Sequence, residues 1–312
     1  MKLGRAFEIF VKRILINVGF SEVNSDGLYI FDGAAGQMIQ GLGEAHNADV
    51  LLEPPVQTPF YSRSRLLIEC KDYSRKVGLN TIRSVLGLRE DINHFDIVDM
   101  NRLVARRRQN RHGIISNNER YHYQVAIAAL NGYTVPAQEF AATYRIPLIE
   151  FNKMPFWKEF CNVMGLGNSE FLLNQCGYYG NAEIEARIIE LADNVGHRTA
   201  IAITNSGQLL FLYRSNGEWN EFDDYYSLHW NESERSWKLN TAEQTYLFQL
   251  PDSIMKLWLD NSTNELEMKK EAINCKANFL SNMIVYYTEY DHSIIKMISI
   301  DKDQLYRARE KL

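Results

Sequence analysis

Apolar residues at Phe7, Phe10, Val11, Ile14, Leu15 and Val18 recur every three to four positions. That spacing predicts an amphipathic helix over residues 3–18, stopped by Gly19. The period then shortens. Residues 20–32 read as a strand and turn, 33–36 as a loop, and 41–46 as a glycine-punctuated approach to a further strand. Two short apolar runs, 47–53 and 65–72, are bounded by turn formers and predict strands, and the proline-bearing segment 53–60 can connect them as antiparallel neighbours. Helical spacing returns over 79–92 through Ile82, Val85 and Leu86. Residues 123–129 predict an alanine-rich buried strand. Thr134 as N-cap, Pro136 in the first turn and the small face of Ala137 and Ala141 predict a helix after it. Residues 145–151 read as a last strand. Helix, strand, strand hairpin, helix, strand, helix, strand is the order of an α/β layer with a mixed sheet.

The pattern changes near Pro155, which sets a boundary between 1–154 and 155–312. The second part predicts a helix over 182–195 and a hairpin over 199–213 turning at Asn205-Ser-Gly207. Aromatic-rich alternation over 219–250 predicts further antiparallel strands, followed by helices over 251–260 and 265–276, a hairpin over 283–300 and a charged terminal helix. This part reads as a separate α+β domain, and its motifs carry no nameable chemistry.

Hydrophobic content of 46% and charged content of 23% are ordinary for a globular protein. The first ten residues lack a signal-peptide pattern, and no apolar run is long enough to cross a bilayer. Cys70, Cys161, Cys176 and Cys275 show no paired spacing, which argues against a zinc ribbon or disulfide framework. A cytoplasmic protein with no membrane partner is expected. The net charge of −5 divides unevenly: residues 1–154 hold 19 Lys/Arg against 16 Asp/Glu, and residues 155–312 hold 15 against 23. Nucleic acid, if bound, should therefore lie mainly on the first part. Its cluster Arg102, Arg106, Arg107, Arg108 and Arg111 reads either as a solvated face or as phosphate contacts.

Side chains alternate along a strand, so Glu69 and Lys71 share a face while Cys70 points to the other. If the two strands pair, Asp49 can lie beside them. Carboxylates at the ends of buried apolar strands are costly unless they bind something, and a hard divalent cation takes oxygen ligands. Taken alone, Glu69 and Lys71 also read as a surface ion pair. Glu8 sits one residue off the centre of the first helix's apolar stripe, and His46 reads as a ligand, a phosphate contact or a turn residue.

With their neighbours these residues form an ordered set: Gly4-Arg-Ala-Phe-Glu8, His46-Asn-Ala-Asp49, Glu69-Cys-Lys71, Arg120-Tyr-His-Tyr123, Gly132-Tyr-Thr-Val-Pro-Ala137 and Ile146-Pro-Leu-Ile149. The set resembles the PD-(D/E)XK restriction-endonuclease-like superfamily, in its Mrr-type branch, over about residues 1–152. Ala48 stands where the family's motif has proline. The resemblance implies a restriction-endonuclease-like mixed sheet flanked by helices, and Mg²⁺-dependent hydrolysis of DNA, with Mn²⁺ able to substitute. By motif position Asp49, Glu69 and the backbone carbonyl of Cys70 would bind the metal, Lys71 would serve the attacking water, and Glu8 would complete the catalytic set. It also implies a role in restriction or defence. RNA or branched DNA as substrate, or a non-catalytic nucleic-acid-binding or regulatory module, are the alternatives. Duplex cleavage makes a homodimer plausible, and the acidic second part suits a sensor, dimerisation or protein-partner role.

Overall fold

The computed structural model describes residues 2–34, 36–57, 62–95, 100–109, 120–165, 181–214, 222, 226–231, 236–259, 262–290 and 292–312, with backbone alone at 100, 102, 103, 106 and 257–259. It is a mixed α/β protein.

Helix α1 (Leu3–Asn17) buries the predicted stripe: Ala6, Phe7, Phe10, Val11, Ile14 and Leu15 are inaccessible to solvent. The chain leaves it through Gly19 at φ +106°, where a Cβ would lie 2.3 Å from Ser293 Oγ. Only glycine permits both that left-handed turn and so close an approach. Strands β1 (Ser21–Glu22), β2 (Ile30–Gly33), β3 (Gly36–Gln40), β4 (Ala45–Asn47), β5 (Val50–Glu53) and β6 (Arg63–Lys71) follow. Next come α2 (Leu79–His94), α3 (Met100–Arg108), β7 (Tyr121–Ala129), α4 (Val135–Thr143) and β8 (Leu148–Glu150).

Strands β1-β5-β6-β7-β8 form one sheet in that order, antiparallel from β1 through β6 and parallel from β6 to β8. Alternation divides its side chains between two faces. Val50, Leu52, Leu66, Ile68, Ala126, Ala128 and Ile149 pack in the cluster that contains α1. Leu51, Leu67, Val125, Ile127 and Leu148 pack instead with Ile82 and Val85 of α2 and Ala137 and Ala141 of α4.

Two local expectations change. Residues 30–47 form a three-stranded antiparallel sheet, β2-β3-β4, in place of one strand, a loop and an approach. The strand expected over 47–53 is broken at Ala48 and Asp49, because Ala48 N–H donates to Gln37 O at 2.8 Å and so joins β3 rather than the larger sheet. Thr134 holds the N-cap position of α4, but its hydroxyl makes no capping bond.

The second part contains α5 (Trp157–Met164), α6 (Asn181–Gly196), β9 (Thr199–Thr204), β10 (Leu209–Arg214), β11 (Ser227–Asn231), β12 (Ser236–Asn240) and β13 (Thr245–Phe248). It continues with α7 (Asp252–Leu259), α8 (Glu265–Cys275) running into a π-helical turn (Lys276–Leu280), β14 (Asn282–Glu289), β15 (His292–Ser299) and α9 (Lys302–Glu310). Its seven described strands form an antiparallel sheet in the order β11-β12-β13-β10-β9-β14-β15.

Among the described residues no sheet holds strands from both sides of residue 154, yet the core is continuous there. Helix α1 lies between the two sheets, and one apolar cluster holds its stripe together with Ile188 and Ala192 of α6, Ile201, Phe211 and Tyr286. Phe151 makes edge contacts with Phe7 at 4.9 Å and with Phe211 at 5.7 Å between ring centroids. Asp193 of α6 accepts from Arg13 Nε at 2.6 Å and from Asn17 Nδ2 at 2.7 Å, tying the polar edge of α1 to the second part. Among the described residues no helix is long and apolar enough to cross a membrane. Cys70, Cys161 and Cys275 are free thiols; Cys176 lies outside the described residues.

Candidate active site

Asp49, Glu69 and Lys71 meet where β5 and β6 end. Val50 pairs with Ile68 in the antiparallel register, so the next step along it sets Asp49 opposite Glu69. The Asp49 carboxylate accepts the Cys70 backbone N–H at 2.8 Å through Oδ2 and Asn47 Nδ2 at 3.0 Å through Oδ1. The side chain thus takes a bond that continued strand pairing would have given to a backbone carbonyl. Ala48 contributes through its backbone. The N–H that it gives to Gln37 is one that proline lacks.

Glu69 and Lys71 lie on one face of β6 as alternation requires, with Lys71 Nζ 2.7 Å from Glu69 Oε2 and both side chains mostly buried. Burial raises the Glu69 pKa; Lys71 opposes this, Asp49 adds to it, and the net direction is upward. Burial also works against the Lys71 ammonium, but Glu69 and Asp49 more than offset it, so its pKa stands above the ordinary lysine value. The proton therefore stays on Nζ at neutral pH. The Cys70 thiol is pushed well up, first by burial and then by the surrounding carboxylates, which removes it as a thiolate nucleophile.

Glu8 approaches from α1, on the Cys70 side of the sheet. Its carboxylate pairs with Arg5 Nη1 at 3.0 Å, and its pKa is raised by burial and further by Asp49 and Asp72, against the pull of Arg5. Asp72 lies against the first turn of α1: a Cβ on Gly4 would be 3.0 Å from its Oδ2. Asp72, Arg5 and Asn47 were not singled out in the sequence. Each had a signal available: Asp72 directly follows Lys71, Arg5 precedes Glu8 by one helical turn, and Asn47 lies within the motif that ends at Asp49.

His46 stands on β4 at the edge of this group, with Nε2 2.7 Å from Asp91 Oδ2 of α2. Asp91 also accepts from Gly43 N–H at 2.8 Å, so it anchors the loop before β4 as well as the imidazole. His46 is near enough to Glu69 to oppose the rise in that residue's pKa. Arg107 and Arg108 are exposed on α3, the side chains of Arg102 and Arg106 are not described, and Arg111 lies outside the described residues.

The donor chemistry suits a hard divalent cation. Mg²⁺ commonly keeps several waters and takes one or two protein carboxylates, and Asp49 and Glu69 provide such a pair with raised acidity cost at Glu69. Among the described residues no three His, Cys, Asp or Glu side chains are gathered to hold a metal, so Glu8 is not drawn into a common cage with the other two acids.

No family model and no curated protein matches the chain. Among solved structures, the crystal structure of a protein of unknown function, AF1548, is similar at 16% identity over 62% of this chain and 97% of that one, with a TM-score of 0.32.

Proposed function

We propose that this chain is a divalent-metal-dependent nuclease of the PD-(D/E)XK restriction-endonuclease-like kind that hydrolyses phosphodiester bonds in DNA. The observation that carries the reading is the hydrogen bond from Cys70 N–H to Asp49, which seats one carboxylate beside Glu69 and Lys71 although 20 residues separate it from Glu69 in the chain. The five-stranded mixed sheet, with α1 on one face and α2 and α4 on the other, supports the same reading.

Asp49 and Glu69, with the carbonyl of Cys70, would hold Mg²⁺ or Mn²⁺. When bound, such an ion supplies Lewis acidity toward the phosphate and lowers the pKa of its water. Lys71, kept protonated by Glu69 and Asp49, places fixed positive charge where negative charge grows on the phosphoryl oxygens as water adds and the leaving oxygen departs. With its proton in place at neutral pH, Lys71 acts as a donor and electrostatic support rather than as a free base. Glu8 adds negative potential behind Asp49 and Cys70. Action in the cytoplasm, a restriction or defence role, and assembly as a homodimer belong to this same reading.

The test is cleavage of labelled duplex DNA with Mg²⁺ or Mn²⁺. Asp49→Ala and Lys71→Ala should each cut at least about 100-fold more slowly, the scale of losing one well-placed electrostatic contact, while circular dichroism matches the parent. Undiminished cleavage by both folded variants overturns the site. Separation of Glu8 from a common cage favours a second reading, a module that binds nucleic acid without turnover. That reading requires metal-independent binding and intact substrate.

A further inference from the structure

A cavity of about 570 Å³ lies away from the acidic group, between the two sheets' supporting elements. Its walls come from α4, the β9–β10 turn, α7 and the π-helical turn after α8. The lining is mainly apolar, with Ala141, Ile146, Ile254 and Phe279 prominent. That volume lies within the roughly 300–1,000 Å³ range of small-molecule sites.

Two cations border it, Arg145 and Lys256, and neither has an ion-pair partner among the described residues. Among the described residues Glu139 is the only acid in the lining. Arg145 is held at φ +53°, in the left-handed region, and it is not a glycine, asparagine or aspartate. Such a conformation costs on the order of 1–3 kcal/mol and persists where surroundings impose it, often at ligand sites. Here the surroundings are visible: the Arg145 backbone donates to Ala142 O and accepts from Gln124 Nε2, and its Cβ lies across from Gly207, where an added Cβ would be 3.6 Å away. The backbone is thus fixed, while among the described residues the guanidinium has no fixed partner. Phe279 sits in a π-helical turn, an irregularity that recurs at functional sites.

We infer that this cavity is a binding site for a small organic carboxylate with an apolar body. The ligand's carboxylate would be received by Arg145, whose planar guanidinium matches it bidentately, with Lys256 adding positive charge at the rim. Its body would lie against Ile146, Ile254 and Phe279. Because the walls come from both sides of residue 154, an occupant bridges the two parts of the chain. The inference is independent of the nuclease reading, since the cavity shares no residue with the acidic group.

Direct titration calorimetry on the full chain tests it, using 2-naphthoate, decanoate and benzoate as carboxylates and 2-naphthamide as the neutral counterpart. At least one carboxylate binds saturably, and 2-naphthamide binds about tenfold or more weakly than 2-naphthoate. Arg145→Gly removes the guanidinium at a backbone position that glycine adopts freely; it folds and loses about tenfold or more in affinity. Ala142→Trp, which fills the exposed side of the cavity, abolishes binding. Failure of all three carboxylates to bind, equal binding of the amide, or full affinity in folded Arg145→Gly overturns the assignment.

Discussion

Replacing Asp49 by asparagine separates what its charge does for the fold from what it does for a cation. The variant keeps the shape, and its Oδ1 can still accept the Cys70 N–H now bonded at 2.8 Å. Asn47 can turn its own amide to present oxygen to the new NH₂, preserving the second contact. The loss is then the difference between a hydrogen bond to a charged acceptor, about 1.5–3 kcal/mol, and one to a neutral acceptor, about 0.5–1.5 kcal/mol. Against that loss, two partly buried carboxylates gain. Burial raises the pKa of Glu8 and of Glu69, and Asp49 raises both further. With native pKa values above the unfolded ones, the native state holds more protons, so stability falls as pH rises through that window. Asp49→Asn removes part of this cost at neutral pH, and the net change without metal should be a loss of about 1 kcal/mol or less. The metal response should change far more. At a hundred times its Kd, a cation that binds only the native state stabilises it by ~2.7 kcal/mol. Urea melts of both proteins at pH 7.5 (about neutral, above the ordinary carboxylate pKa), with and without saturating Mg²⁺, measure the two effects. The parent should gain stability and Asp49→Asn should gain almost none. Equal gains, or no gain in the parent, would refute the assignment of Asp49 as a metal ligand.

Two other outcomes follow from the packing and the loop anchor. Phe10→Ala should destabilise by about 3–5 kcal/mol, because Phe10 is fully buried against Phe151, Phe156 and Phe160. All five tryptophans lie beyond residue 154, so a shared core requires that this first-part change shift the unfolding curve seen by tryptophan fluorescence; an unmoved curve would show independent parts. Asp91 has a lowered pKa, first through its bond to His46, so its contribution is present above the unfolded aspartate pKa and is lost as pH falls through the lower folded value. Asp91→Asn should cost about 1 kcal/mol or less and flatten the acid limb of the stability curve, with faster amide exchange at Gly43 as the local marker.

Much of the candidate site was legible because its signals are local. The spacing of Phe7, Phe10, Val11 and Ile14 gave α1 and its buried face, since a 3.6-residue period leaves little else for that stripe. The two-residue period of β6 placed Glu69 and Lys71 on one side. The hairpins and helices of the second part were readable for the same reason, although their packing was not.

What tertiary structure decided are the relations among distant residues. Whether Ala48 continued β5 or bonded to Gln37 depended on a neighbouring strand, and that choice freed Asp49 to bond to Cys70. His46 and Asp91 are 45 residues apart, so no periodicity could announce that the imidazole would be held by α2. The boundary at residue 154 marked a change in pattern but carried no information on which surfaces meet. The same stripe that predicts α1 cannot tell whether it packs on one sheet or lies between two, because periodicity reports that a face is buried and not what buries it.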